Sequence, residues 1–172
     1  LRRQRQMCIR DRANDTLDMK LAALKEMIKT GVDQFDFPPN PGLLIGGEEK
    51  AYFEEMKQIV EVAHASGVIV KSMLEFGFLN EEQKKKAAQL ACEAGIDWVK
   101  QSSGWGVGGC AATVEDVKIL KENISLPCRV KVSGKVNSLE KMKMMFEAGA
   151  ELVGTSSGPE IIEGLIGDPN AY

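Results

Sequence analysis

From residue 13 onward, the chain repeats one pattern of apolar and polar positions. A stretch with apolar residues at helical spacing ends at a glycine or proline, a short run rich in β-branched residues follows, and small polar residues come next. Glycine just past a helix supplies the left-handed closing residue, and the apolar runs have the length of strands. The pattern predicts five strands, at Gln34–Phe37, Val68–Leu74, Trp98–Gln101, Cys128–Val132 and Leu152–Thr155.

Capping signals mark the starts of the helices between these strands. Asn80, Thr113 and Asn137 each stand three residues before an acidic or amide side chain, so each can accept a hydrogen bond from a free amide of a first helical turn. A leading helix is predicted from Thr16 to Thr30. Helices therefore alternate with strands, and this alternation requires right-handed parallel crossovers.

Two architectures fit this alternation. An eight-unit barrel of about 250 residues uses roughly 31 residues per unit, so five units and the leading helix account for residues 13–172. We expect an α/β fold: a single partial domain at 13–172 that holds about the last five βα units of a (β/α)8 TIM barrel. A five-stranded flavodoxin-like sheet fits the same count, and spacing alone does not separate the two.

Composition narrows the class of protein. The 172 residues are 44% hydrophobic and 27% charged, which is typical of a soluble globular protein. No apolar run approaches the ~20 residues that span a bilayer, and the first residues hold no apolar core of the kind found in signal peptides, so we expect neither a membrane nor a secreted protein. The four cysteines stand far apart with one histidine to join them, which favours reduced cytoplasmic thiols over a metal site. We expect no metal, no cofactor and no membrane partner.

The first twelve residues differ in charge from the rest. They hold five arginines and one aspartate, a local charge of +4 in a chain whose net charge is −3. A basic arm can bind nucleic acid, but this one has no aromatic residue and no repeat, so we expect no nucleic-acid partner. The string MCIRDR also resembles translated sequencing-adapter sequence. We expect residues 1–12 to be non-native and leave them out of the fold.

Two lysines lie inside apolar strands, at equivalent ends of neighbouring units. Desolvating the ammonium of Lys100 or Lys131 costs several kcal/mol, and two cations that share an interior lower each other's pKa. A lysine whose pKa falls from about 10.4 to about 7–8 can attack a carbonyl as the neutral amine. We expect Lys100 to be this nucleophile and Lys131 its perturbing neighbour. The alternative is that either lysine turns outward and extends to solvent.

Glycine and serine clusters follow the last three strands, at Gly104, Gly134 and Gly154–Gly158. Backbone amides between a strand and a helix can point at an anion, and the last two loops of a barrel frequently bind phosphate. Tight turns alone would also use these glycines. Three clusters in register favour a phosphorylated ligand.

Five strand motifs resemble, in order, those of the deoxyribose-phosphate aldolase family. The motifs are Gly31–Asp36, Val68–Glu75, Ala94–Gly104, Val130–Gly134 and Val153–Ser157, within a resemblance that covers roughly residues 16–165. The resemblance implies a (β/α)8 barrel and a class I aldolase. Such an enzyme cleaves 2-deoxyribose 5-phosphate to glyceraldehyde 3-phosphate and acetaldehyde, without a metal or a cofactor.

The resemblance also implies roles for single residues. Lys100 would form the Schiff base, Lys131 would lower its pKa, and Asp36 with bound water would relay protons. Backbone amides near five glycine and serine residues would hold the phosphate, and a lysine would supply a positive charge beside it. These residues are Gly104, Gly134, Gly154, Ser156, Ser157 and Lys135.

The chain also departs from the family pattern. Gln101 stands where threonine often follows the Schiff-base lysine, and Lys135 and Asn137 replace a glycine and an arginine. These differences leave open a related phosphate-binding barrel lyase that acts on another sugar phosphate. Because the family begins with further strand units, we expect an amino-terminally truncated protein, and an inactive fragment is a third alternative. A homo-oligomer also remains open.

Overall fold

The computed structural model describes residues 6–9, 13–104 and 110–168. Within these ranges the strands are β1 Gln6–Cys8, β2 Gln34–Phe37, β3 Ile69–Met73, β4 Trp98–Lys100, β5 Arg129–Ser133 and β6 Leu152–Gly154. The helices are α1 Leu17–Lys29, α2 Pro41–Ile45, α3 Glu49–His64, α4 Glu81–Glu93, α5 Val114–Asn123, α6 Leu139–Glu147 and α7 Gly158–Ile162, with a 3₁₀ turn at Phe76–Phe78. No helix of the described ranges is long and apolar enough to cross a membrane.

The strands form one parallel sheet in the order β1-β2-β3-β4-β5-β6. A flavodoxin-like sheet would reverse its strand order at a switch point, whereas a barrel wall adds each strand beside the previous one. The sequential order therefore excludes the flavodoxin-like alternative. The five strands predicted from the sequence are confirmed, each to within a residue or two of its observed ends.

A sixth strand lies in the segment that we had left out of the fold. Strand β1 pairs with β2, and the amide of Ile9 donates to the carbonyl of Asp36 at 3.0 Å. The apolar run Met7-Cys8-Ile9 is only three residues long and stands among arginines, so its sequence does not predict a strand. That residues 1–12 are non-native stays a prediction, and residues 1–5 and 10–12 lie outside the described residues.

Two of the three predicted helix caps are confirmed. Asn80 forms a reciprocal capping box at α4, and the Thr113 side chain accepts from an amide of the first turn of α5. The cap predicted at Asn137 is wrong, because α6 is capped by Ser138, whose hydroxyl accepts from the amide of Lys141 at 3.3 Å. The Asn137 side chain is buried instead and bonds to the carboxyl-terminal segment.

The two faces of the sheet differ in chemistry because successive side chains of a strand alternate in direction. One face carries apolar side chains that join the core beneath the helices, namely Phe35, Phe37, Val70, Val99, Val130 and Val132. The residues between them carry charge, namely Asp36, Lys71, Lys100 and Lys131. All four are buried, so the alternation places a charged cluster on the inner face of the sheet.

Candidate active site

Asp36 holds two lysines on the inner face of the sheet. Its Oδ2 accepts from Lys131 Nζ at 3.1 Å, and its Oδ1 accepts from Lys71 Nζ at 3.4 Å. Asp36 is 2% exposed, Lys71 1% and Lys131 8%. Ion pairs this deeply buried are costly to desolvate and gain stability only when both charges are well bonded.

The bond between Asp36 and Lys131 shows that the sheet is curved. Asp36 lies in β2 and Lys131 in β5, so two strands separate them. In a flat sheet, strands three places apart would be about 14 Å from each other, which exceeds the reach of these two side chains. The sheet therefore bends around its inner face, as a barrel wall does, and brings opposite strands together.

Lys100 lies on the same face, directly beside Lys131. The two residues are register partners in β4 and β5, and Lys100 is 7% exposed. Neither lysine turns outward to solvent, so the snorkelling alternative is wrong. The sequence-predicted trio of Lys100, Lys131 and Asp36 is therefore brought into one buried cluster, and its catalytic role stays a prediction.

Lys71 also belongs to this cluster, although no role for it was predicted from the sequence. It pairs in register with Asp36, and its ammonium also donates to the side-chain oxygen of Gln34. The signal was present, because Lys71 is a lysine inside an apolar strand, the same criterion that singled out Lys100 and Lys131. The structure adds this third lysine to the predicted pair.

Glu75 adds a second carboxylate at the carboxyl end of β3. Burial raises its pKa to about 7, an effect that hydrogen bonds from Ser103 and the positive charge of Lys100 partly oppose. Its Oε1 accepts from the amide of Ser103 at 2.8 Å. Glu75 therefore contacts the loop that follows the predicted nucleophile.

The first two predicted phosphate loops are tightly bonded to their own surroundings. The amide of Gly104 donates to Ser102 Oγ at 2.9 Å. Gly134 has φ of +110°, and a Cβ at this position would lie 2.9 Å from the carbonyl of Cys110, so only glycine fits. Lys135 is exposed and has φ of +55°. These loops lie at the carboxyl ends of β4 and β5, where the sequence analysis placed them.

The third predicted loop is partly covered by the carboxyl-terminal segment. The Ser157 side chain is buried, and a Cβ on Gly167 would clash with its Oγ. The amide of Ser157 donates to Thr155 Oγ1 at 3.0 Å, whereas Ser156 is exposed. Gly154 instead borders the lysine cluster, because a Cβ at this position would lie 3.7 Å from Lys131 Cε. The phosphate assignment stays a prediction.

Asn137 joins the loop after β5 to this carboxyl-terminal segment. Its Nδ2 donates to the carbonyls of Gly167 and Asp168, each at 3.4 Å, and its own carbonyl accepts from the amide of Gly167 at 2.8 Å. Its Oδ1 accepts from Lys141 Nζ at 2.9 Å.

Across the residues that the structure describes, no group of three His, Cys, Asp or Glu side chains is placed to hold a metal ion.

Similarity to known proteins identifies the family. A deoxyribose-phosphate aldolase of Staphylococcus carnosus is 43% identical over 155 residues, which is 90% of this chain and 68% of the relative. The chain belongs to the deoxyribose-phosphate aldolase family. The enzyme of that name from Thermococcus gammatolerans is 40% identical over 147 residues, 86% of this chain and 64% of the relative. The chain thus spans about two thirds of the length of these relatives, and no family model matches it.

Solved structures of the family share the fold. A putative deoxyribose-phosphate aldolase from Coccidioides immitis superposes with a TM-score of 0.85 at 26% identity, over 92% of this chain and 62% of that one. Deoxyribose phosphate aldolase from Aeropyrum pernix gives 0.82 at 26% identity, over 92% of this chain and 66% of that one. The predicted fold class, a partial (β/α)8 barrel, is confirmed.

Proposed function

We propose that this protein cleaves 2-deoxyribose 5-phosphate to glyceraldehyde 3-phosphate and acetaldehyde through a Schiff base on Lys100. The observation that carries the proposal is the buried pair of Lys100 and Lys131, adjacent in register, with Asp36 bonded to Lys131 at 3.1 Å. Membership of the aldolase family agrees with this chemistry. We further propose that the enzyme uses no metal or cofactor.

The reaction begins when the neutral amine of Lys100 adds to the aldehyde carbon, C1, of the open-chain sugar, and water leaves to form a protonated imine. A base then removes the proton of the C3 hydroxyl. The bond between C2 and C3 breaks, glyceraldehyde 3-phosphate departs, and the electron pair moves through C2 to the imine nitrogen. Protonation of the resulting enamine at C2, followed by hydrolysis, releases acetaldehyde and restores Lys100.

Lys131 and Asp36 divide the supporting work. The carboxylate of Asp36 forms a buried ion pair with the ammonium of Lys131 at 3.1 Å. A retained cation next to Lys100 disfavours a second cation there and thus favours the neutral, nucleophilic amine. Asp36, with a water, is positioned on the same face to relay the proton of the hydroxyl group.

The phosphate group of the substrate is assigned to the loops at the carboxyl ends of β4, β5 and β6. Amides near Gly104, Gly134, Gly154, Ser156 and Ser157 would surround it, and the exposed Lys135 would supply a cation. Loops at this end of a barrel frequently bind phosphate. We place the enzyme in the cytoplasm. The tetrameric structure of the Aeropyrum pernix relative supports a homo-oligomer.

Trapping of the imine tests the nucleophile. Incubation with acetaldehyde and borohydride should add an ethyl group to Lys100, and Lys100→Ala should abolish both the label and sugar cleavage. Lys29→Ala, at an exposed lysine of α1, is the matched control and should change neither. A label on Lys131 would reverse the assignment of the two lysines.

Lys131→Leu tests the perturbing charge, and a substrate panel tests the reaction. The variant should still form some imine, but its pH optimum should move upward because Lys100 then loses its cationic neighbour. Across a panel of sugar phosphates, we expect cleavage of 2-deoxyribose 5-phosphate. Turnover of other sugar phosphates without cleavage of this one would contradict the proposed substrate.

A further inference from the structure

Glu75 has a backbone conformation that is unusual for its residue type. Its φ and ψ are both 53°, in the left-handed region, and it is 3% exposed. Such a conformation is strained for a residue other than glycine and persists where the surroundings enforce it. Here it directs the carboxylate at the backbone of a neighbouring strand end, where Oε1 accepts from the amide of Ser103 at 2.8 Å.

Backbone bonds on both sides of Glu75 join the same two segments. The amide of Leu74 donates to the carbonyl of Lys100 at 2.8 Å, and the amide of Phe76 donates to the carbonyl of Gln101 at 2.8 Å. The carboxylate extends this ladder to Ser103, beyond the end of β4. Residues 74–76 therefore hold the backbone from Lys100 to Ser103 by three hydrogen bonds, of which one is made by a side chain.

The charged and titratable groups around Glu75 come from three elements. Lys100 of β4 is the cation that acts on its carboxylate. From α3, the Tyr52 hydroxyl is fully buried, and burial, followed by the charges of Glu55 and Glu75, raises the pKa of that phenol. From α4, Lys84 Nζ lies 5.2 Å from the ring centroid of the adjacent Phe76. Glu75 therefore sits between an apolar interior and the proposed nucleophile.

We propose that Glu75 is a positioning residue, which fixes the segment from Lys100 to Ser103 and, through the negative charge it places beside that segment, influences the charge state of Lys100. The ionised carboxylate holds the Ser103 amide most strongly and favours the ammonium form of Lys100. Protonation of Glu75 weakens both effects. The effect on Lys100 rests on the proposed function, in which Lys100 is the nucleophile. The hydrogen bond to Ser103 does not depend on that function.

The hold on the loop can be measured without any activity. In proton–nitrogen NMR spectra of the native chain, the amide proton of Ser103 should move upfield as the pH falls through about 7, because a neutral carboxyl is a weaker acceptor. In Glu75→Gln this step should disappear. A Ser103 amide that does not move between about pH 5 and about pH 9 in the native protein overturns the inference, even if the variant fails to fold.

The effect on Lys100 is measured by imine trapping with acetaldehyde and borohydride as a function of pH. Removing the negative charge in Glu75→Gln should move the profile to lower pH and speed trapping near neutral pH by about tenfold, the effect of roughly one pKa unit. Glu81→Gln, at an exposed carboxylate of α4, is the control and should leave the profile unchanged.

The two ideas fail in different ways. If the native chain traps no imine at any pH, the proposed function fails, while the Ser103 titration still decides the position of Glu75. If the native chain traps imine and Glu75→Gln gives the native profile, the charge coupling is overturned. A merely structural role would lower the amplitude of trapping without shifting its pH dependence.

Discussion

Removing the ammonium of Lys20 should destabilise the protein by about 3–5 kcal/mol. Lys20 is fully buried at the start of α1, and its Nζ donates to Glu55 Oε1 at 2.5 Å, to the carbonyl of Ala13 at 2.8 Å and to the carbonyl of Pro38 at 2.9 Å. The ion pair thus anchors the chain just after Asp36. The substitution Lys20→Met keeps an unbranched apolar side chain as far as the ε position and removes the ammonium group with its donors.

The magnitude follows from what the substitution leaves behind. Glu55 is 5% exposed, and its second oxygen accepts from the amide of Asn40 at 2.8 Å. Without Lys20, the buried carboxylate of Glu55 loses this ion-pair partner, and the carbonyl of Pro38 loses a charged donor. An unpaired buried charge costs far more than the net stability of the intact pair.

Chemical denaturation of three variants measures this energy. Lys29→Met breaks the pair with Glu26, whose side chains are 69% and 71% exposed, and should cost less than about 1 kcal/mol. The double variant Lys20→Met/Glu55→Gln should recover most of the loss of Lys20→Met, because no buried charge remains. A loss below about 1 kcal/mol in Lys20→Met, or no recovery in the double variant, would refute the reasoning.

Two further predictions concern the site. Burial raises the pKa of Glu75 from 4.5 to about 7. Between these two pH values the folded state therefore holds a proton that the unfolded chain releases. The free energy of unfolding should fall as the pH rises across this window, by up to about 3 kcal/mol. Denaturation at several pH values should show this slope, and Glu75→Gln should flatten it; equal slopes would contradict the assignment. Gly154→Ala should slow imine trapping about tenfold, since its Cβ would lie 3.3 Å from Ser133 Cβ and 3.7 Å from Lys131 Cε, whereas Gly158→Ala meets nothing within 4 Å. Equal rates in the two variants would show that Gly154 does not shape the site.

The sequence predicted the elements and the individual lysines because both leave local signals. Strands such as β4 and β5 are apolar runs between a glycine or proline and small polar residues, and a lysine inside such a run stands out without any knowledge of the fold. The bond between Asp36 and Lys131 leaves no such signal. It joins residues 95 positions apart and depends on the curvature of the whole sheet.

Other features failed for reasons that are also physical. Asn137 and Ser138 are both good capping residues, and their order along the chain does not show which one begins α6. The structure uses Ser138, because the Asn137 side chain is engaged by the carbonyls of Gly167 and Asp168. That engagement requires the carboxyl-terminal segment to pass over the loop after β5, a tertiary contact that no local pattern encodes.

The charges on the inner face also indicate which lysine is the nucleophile. Lys71 and Lys131 each form an ion pair with Asp36, at 3.4 and 3.1 Å. Glu75 is a carboxylate that acts on Lys100, and its own burial favours its neutral form at and below about pH 7. Lys100 therefore adjoins a retained cation and a carboxyl group that is only partly ionised at neutral pH. A cation beside a buried amine disfavours a second positive charge, and this is the physical basis for assigning the nucleophile to Lys100.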